Sequence, residues 1–170
     1  YIDFDLMNSL QQKETFYKLC EKHGVDYPGT IIYDQSMGLD FEMNFPYPVI
    51  LKPSDSISYW EHPFATQNKI YTIKDRKELE KVIQDIYGAG YTDKLIIQDM
   101  IPGNDEYMRV LTSYSDRNGK VKMMCLGHVL LEEHTPHGLG NHAVIITEPN
   151  EELMMKVKNL LEDLHYVGFS

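Results

Sequence analysis

An α+β fold of two small lobes, spanning residues 1–93 and 94–170, is predicted by three features of the 170-residue chain. Segments around 9–23, 75–87 and 151–165 repeat apolar residues at helical spacing, whereas the runs between them are short, apolar and bounded by Pro or Gly, as strands are. Near Lys94 the pattern turns from helical to extended. Beyond it, Asn118-Gly119 separates two strand-like runs, which is a strong hairpin signal because both residue types tolerate positive φ. A chain of this length buries enough apolar surface to fold by packing, without disulfides or a structural metal.

The elements follow in order. From Ser9 to His23, Phe16, Tyr17, Leu19, Cys20 and His23 form a helical stripe, with Gly24 as its C-terminal stop. TIIY at Thr30 to Tyr33 reads as a strand, and the prolines flanking Val49-Ile50-Leu51-Lys52 in FPYPVILKP confine a second strand to those residues. Ser54 to Gln67 lacks periodicity and is expected to be a long loop. KIYTI at Lys69 to Ile73 alternates as a strand. Leu79, Val82, Ile83, Ile86 and Tyr87 then mark a helix over Asp75 to Tyr87, where Asp75 and Glu78 approximate a capping box. KLIIQDMIPG is a strand running into a Pro-Gly break that opens the second lobe. Tyr107 to Tyr114 and Lys120 to Leu131 pair across SDRNGK. A Gly- and His-rich loop, the strand AVIIT, a helix from Glu151 to His165 and a short strand in YVGFS complete the chain.

Composition excludes several classes. With 42% hydrophobic and 25% charged residues, the chain has no apolar run near the roughly 18 residues that a membrane span needs. A formal charge of -10 without any Lys or Arg cluster argues against nucleic acid. It does not argue against a mononucleotide, which needs only two or three well-placed cations. Cys20 and Cys125 lie far apart within apolar patterns and read as buried thiols of a reducing, cytoplasmic compartment. The opening YIDFDLMNSL starts with Tyr1 and has no signal-peptide features, as expected for a piece of a longer polypeptide.

Lys52 ends a short buried strand and precedes a Ser-rich loop, a placement that suits phosphate binding by its ammonium and by loop N-H groups. Taken alone, LKP better describes a lysine snorkelling from a strand end. In QDMIPGNDE an extended segment turns sharply, so its main chain could read the edge of adenine while Met100 and Ile101 line an apolar slot and Asp105 accepts from ribose. An ordinary strand-to-turn transition is the plainer reading of that segment alone. His128, His134, His137 and His142 fall within one stretch but lack the thiolate pair of a zinc knuckle; a mobile surface loop is the plainer reading, and a loop shaping an acceptor or carboxylate pocket the one slightly preferred. Arg109 faces either a nucleotide or solvent. Trp60 is expected to pack the loop over the phosphates.

Order and spacing add a family resemblance. LKP, a polar loop, a strand, a helix and then IIQDMIPG resemble the ATP-grasp superfamily over nearly the whole chain, and KETFYKLCEKHGVDYPGT resembles that family's opening helix. The resemblance implies two α+β lobes with ATP bound between them. It also implies phosphate contacts from Lys13, Lys52, Ser54, Ser56 and Ser58, with Gln67 to Lys69 as the exit of the phosphate loop. Adenine would lie against Gln98, Asp99, Met100 and Ile101, and ribose against Asp105 or Glu106. FYKLCEKHGVDYPGT, FPYPVILKPSDSISYW and HPFATQNKIY are similar to the D-aspartate ligase group of carboxylate-amine ligases. Those enzymes activate a carboxylate as an acyl phosphate for attack by an amine, in the named group the lysine side chain of a peptidoglycan precursor. The implied partners are therefore ATP, magnesium and small-molecule carboxylate and amine substrates. The family's magnesium ligands lie beyond the segment resembling YVGFS, so no metal site is assigned and these residues alone are not expected to turn over. Ligases of the carbamoyl-phosphate or biotin-carboxylase type, and a nucleotide-binding module without catalysis, are the alternatives.

Overall fold

The computed structural model describes residues 2–135, 138 and 140–170, and divides into two compact units, Pro28–Pro102 and Tyr1–Tyr27 with Gly103–Ser170. In the first unit, β1 (Thr30–Tyr33), β2 (Val49–Pro53), β3 (Tyr71–Ile73) and β4 (Leu95–Asp99) form an antiparallel sheet in the order β1-β4-β2-β3. Along β2, Val49, Leu51 and Pro53 are buried while Ile50 and Lys52 are only partly so, the period-2 pattern of a strand. α4 (Arg76–Gly88) sends Leu79, Ile83 and Ile86 into one core with Val49, Leu51, Ile73, Leu95 and Ile97. Each such side chain contributes roughly 1.5–3 kcal/mol by leaving water. The helix starts where the sequence places it. Asp75 accepts the Glu78 N-H at 2.9 Å, and the Glu78 carboxylate accepts the Lys74 N-H at 2.8 Å, a capping box displaced by one residue.

The boundary expected at residue 94 lies elsewhere. β4 is hydrogen-bonded between β1 and β2, with Ile31↔Ile97 on one side and Leu51↔Ile97 on the other, so KLIIQD supplies an interior strand of the first sheet and the units divide at Gly103. The segment expected to be a loop after β2 contains a short helix, α3 (Ser56–Trp60). Asp55 starts it by accepting the Ile57 and Ser58 N-H groups at 2.8 and 3.2 Å.

In the second unit, β5 (Arg109–Ser115), β6 (Val121–Glu132), β7 (His142–Thr147) and β8 (Gly168–Phe169) form an antiparallel sheet in the order β7-β6-β5-β8. The β5-β6 hairpin closes as expected: Asp116 accepts the Asn118 and Lys120 N-H groups through its side chain, and Gly119 adopts φ +70°. α5 (Glu151–Asp163) is capped by Asn150, buries Leu161, and ends two residues before the expected His165, which lies in the left-handed region at φ 49°. The expected helix over 9–23 is two, α1 (Phe4–Gln11) and α2 (Lys13–Lys22), because Gln12 is extended at ψ 119°. The Thr15 hydroxyl spans that break, donating to the Ser9 and Gln12 carbonyls at 2.7 and 2.9 Å. α2 ends as expected: the Val25 N-H reaches the Cys20 carbonyl and the Gly24 N-H that of Glu21, with Gly24 at φ +65°, a Schellman motif.

Candidate functional site

The first sheet sorts the candidate residues by face. Residues directly opposite in an antiparallel pair share a face, so Lys52↔Ile96 and Ile50↔Gln98 lie together on the side away from the α4 core. Lys52 and Gln98, far apart in sequence, are thereby one rung apart on the same surface. Gln98 is buried, and its amide donates to Thr30 Oγ1 at 2.9 Å, which fixes which way the side chain points. Asp99 pairs with Val49 on the core side, and its N-H is taken by the Gly29 carbonyl at 2.8 Å. The β2-β4 ladder stops at that pair. Met100 and Ile101 continue past it, with Ile101 exposed.

The segment between β2 and β3 is more committed than a free phosphate loop. The Ser54 N-H donates to the Lys94 carbonyl at 3.0 Å, and the Ser54 hydroxyl lies 3.4 Å from the Tyr91 hydroxyl. Asp55 takes the Ile57 and Ser58 amides, so those two N-H groups are already engaged within the segment. Lys69 stands two residues ahead of β3, whose Tyr71 faces Leu51, the neighbour of Lys52 on β2. Trp60 is partly exposed, with its ring edge-on to Tyr59 at 5.5 Å. Sequence reasoning missed Asp55 and the buried Tyr59, Tyr71 and Tyr91 around this segment. Only Asp55, an N-cap residue type ahead of a short run, carried a local signal.

In the second unit, Lys13 opens α2 and is partly exposed. Asp105 begins a 3-10 turn, Asp105–Tyr107, and its Oδ2 accepts the Glu132 N-H at 3.1 Å and lies 3.0 Å from His134 Nε2. The Glu132 amide, and after it His134, hold the Asp105 carboxyl below the usual carboxylate range. Glu106 is exposed, and its carbonyl accepts from Arg109 Nη1 at 2.7 Å. Arg109 is thus held by its own neighbours. It also donates to the Met108 carbonyl and binds Glu148 Oε1 at 3.1 Å, while His128 Nδ1 lies 2.7 Å from Glu148 Oε2. His142 pairs with Glu132 at 2.7 Å. His137 lies outside the described residues.

Cys20 is buried as expected, and burial raises its thiol pKa; Cys125 is exposed, because it shares a rung with the exposed Thr112 on the open face of β6. Among the described residues, no three His, Cys, Asp or Glu side chains gather as a metal site, and no helix is long and apolar enough to cross a membrane.

No family model matches the sequence. A D-aspartate ligase from Enterococcus faecium (strain Aus0004) is 41% identical over 174 residues, covering 100% of this chain and 41% of the relative, so the chain spans well under half the length of that relative. Among solved structures, an L-amino acid ligase from Bacillus licheniformis matches with a TM-score of 0.64 at 16% identity, over 99% of this chain and 37% of that one. The VanG D-Ala:D-Ser ligase from Enterococcus faecalis matches with a TM-score of 0.62 at 14% identity, over 99% and 49%. The D-alanine-D-alanine ligase from Helicobacter pylori matches with a TM-score of 0.55 at 19% identity, over 92% and 47%. At such identities the structural likeness is one of fold; the sequence likeness adds the narrower relation. The fold is that of ATP-grasp ligases, and along its whole length the sequence is similar to part of a D-aspartate ligase.

Proposed function

We propose that the protein is an ATP-dependent carboxylate-amine ligase in which these residues grip the nucleotide. The observation that carries this reading is the 41% identity to a D-aspartate ligase, which runs the length of the chain. A carboxylate resists attack by an amine because it is anionic and lacks a good leaving group; phosphorylation to an acyl phosphate removes both obstacles. Catalysis of such a transfer rests on positioning and charge neutralisation rather than on a nucleophilic side chain. The described residues suit the first of these tasks. Lys52 stands on a strand anchored from behind by Leu51 and α4, so its ammonium is carried on a rigid element. In this reading Lys13 and Lys52 hold phosphates, aided by Lys69 and the Ser54 and Ser56 segment. The main chain at Met100 and Ile101, past the end of the ladder, meets the adenine edge, with Gln98 and Asp99 fixing that stretch. Asp105 or Glu106 takes the ribose. D-aspartate is the carboxylate substrate, the amine belongs to a peptidoglycan precursor, and the compartment is the cytoplasm.

ADP release by the full-length protein, followed across D- and L-amino acids with ATP, magnesium and a lysine-bearing peptide acceptor, tests this reading. Release that requires D-aspartate and the acceptor is the expected result. Release that ignores the amino acid supplied, or no release with any of them, overturns it.

A further inference from the structure

We propose that Tyr59 and Tyr71 are positioning residues for phosphate binding, their hydroxyls joining in a closed hydrogen-bond cycle that clamps the main chain of Asn68 and so sets the exit of the phosphate loop. The inference rests on the nucleotide reading above. Tyr59, on α3, and Tyr71, the first residue of β3, are both buried, with their hydroxyl oxygens 2.6 Å apart. Asn68 meets both of them: its N-H donates to the Tyr71 hydroxyl at 2.9 Å, and its carbonyl accepts from the Tyr59 hydroxyl at 2.8 Å.

Proton bookkeeping gives the direction. Each phenol has a single hydrogen to donate. Tyr59 spends its hydrogen on the Asn68 carbonyl, so the short contact between the phenols is Tyr71 donating to Tyr59. The Tyr71 oxygen then accepts from the Asn68 N-H. Donation runs from Asn68 to Tyr71, to Tyr59 and back to Asn68, each group polarising the next. The Thr66 carbonyl, 3.3 Å from the Tyr71 hydroxyl, is the longer alternative acceptor.

The cycle couples the loop at several points. The Gln67 side chain donates to the Tyr59 carbonyl at 2.9 Å, joining the exit segment to α3. The Tyr59 ring packs edge-on against Tyr91 at 5.7 Å, and the Tyr91 hydroxyl accepts the Asp55 N-H at 3.3 Å, tying down the start of the loop. α3 and Thr66 to Asn68 are therefore tied into one arrangement, and Lys69 follows directly along the chain. A loop ordered in advance spares the ligand the entropy of ordering it. That benefit falls on the phosphates, which the loop covers, and not on the base, which lies against the end of β4.

The test uses Tyr71→Phe, Tyr59→Phe and the double variant in the full-length protein, with ATP and adenosine affinities measured by calorimetry and adenosine displacement. Each single variant is expected to weaken ATP binding about tenfold, the size of one main-chain hydrogen bond, while leaving adenosine within about twofold. Because either change opens the same cycle, the double variant is expected to be hardly worse than the singles. Amide exchange at Asn68 should quicken while that at Ile97 does not. If a variant binds ATP as tightly as the wild type, or loses ATP and adenosine affinity in equal measure, the positioning role is overturned; so it is if the two losses simply add. A wild-type protein that binds no ATP overturns the nucleotide reading and this inference with it.

Discussion

Leu51 and Lys52 are neighbours on β2 whose side chains leave the strand on opposite faces, and their replacement by alanine is expected to separate stability from nucleotide binding. Leu51 is fully buried in the cluster that joins α4 to the first sheet. Its truncation removes three carbons, about 2 kcal/mol of transfer free energy, and leaves a cavity in a well-packed site that adds about 1–2 kcal/mol more. With an m-value of about 2 kcal/mol per molar urea, the unfolding midpoint should fall by about 1.5–2 M. Lys52→Ala touches the other face. Loss of a charged contact to phosphate, about 1.5–3 kcal/mol, should weaken ATP binding roughly ten- to hundredfold. Urea unfolding of the ligand-free protein followed by tryptophan fluorescence, and ATP titration of each folded variant, read the two effects. A Leu51→Ala midpoint within about 0.5 M of the wild type would refute the burial argument. Lys52→Ala with unchanged ATP affinity would refute the assignment of that face to the nucleotide.

Three further outcomes follow from single features. Gly119→Ala should destabilise the β5-β6 hairpin by more than about 1 kcal/mol, because the position sits at φ +70° and a Cβ there would lie 2.9 Å from the His165 Cα; thermal unfolding reads it. Asp75→Ala should cost about 1 kcal/mol by removing the α4 cap, seen as a lower thermal midpoint with an unchanged ATP affinity. Asp105, Asp116 and Glu162 all have lowered carboxyl pKa values, led respectively by hydrogen bonds from the Glu132 amide, the Lys120 amide and the Lys120 side chain. Their stabilisation is fully present above the unfolded carboxylate pKa near 4 and is lost as pH falls through the lower folded values. The urea midpoint should therefore drop below pH 4, and Asp116→Asn should flatten that drop.

What could be read along the chain was whatever a segment encodes within itself. α4 carries its cap, its apolar stripe and its length inside 75–88, and the β5-β6 hairpin carries its Asn-Gly turn, so both match expectation. α3 is shorter than two helical turns, so no period exists to detect, and only Asp55 announces it. The break at Gln12 involves neither Gly nor Pro; the Thr15 hydroxyl that spans it has no counterpart in an apolar pattern. The lobe boundary went astray for a different reason. Leu95, Ile96, Ile97 and Gln98 are buried in succession, the mark of a strand covered on both faces, yet which sheet such a strand joins is decided by β1 and β2, tens of residues earlier.

The site shows the same division more sharply. Lys52 and Gln98 were each ambiguous alone, and family order linked them without saying how they meet. The register of β2 on β4 supplies the missing link, since one shifted residue would send Lys52 into the α4 core and Leu51 out. That core therefore does more than stabilise: Val49, Leu51 and Ile97 lock the register, and the register decides which side chains share the face of Lys52. The same logic reaches the segment between α3 and β3. Tyr71 opposes Leu51 on the next strand, so the register that aims Lys52 outward also aims the Tyr71 hydroxyl inward, where Tyr59 and Asn68 meet it. A slip of β3 by one residue would turn Tyr71 to the opposite face and break the clamp on Asn68. The proposed ligand contacts and the bonds that clamp Asn68 thus depend on one alternation, and a core substitution that lets β3 slip should cost ATP affinity even though it touches neither lysine.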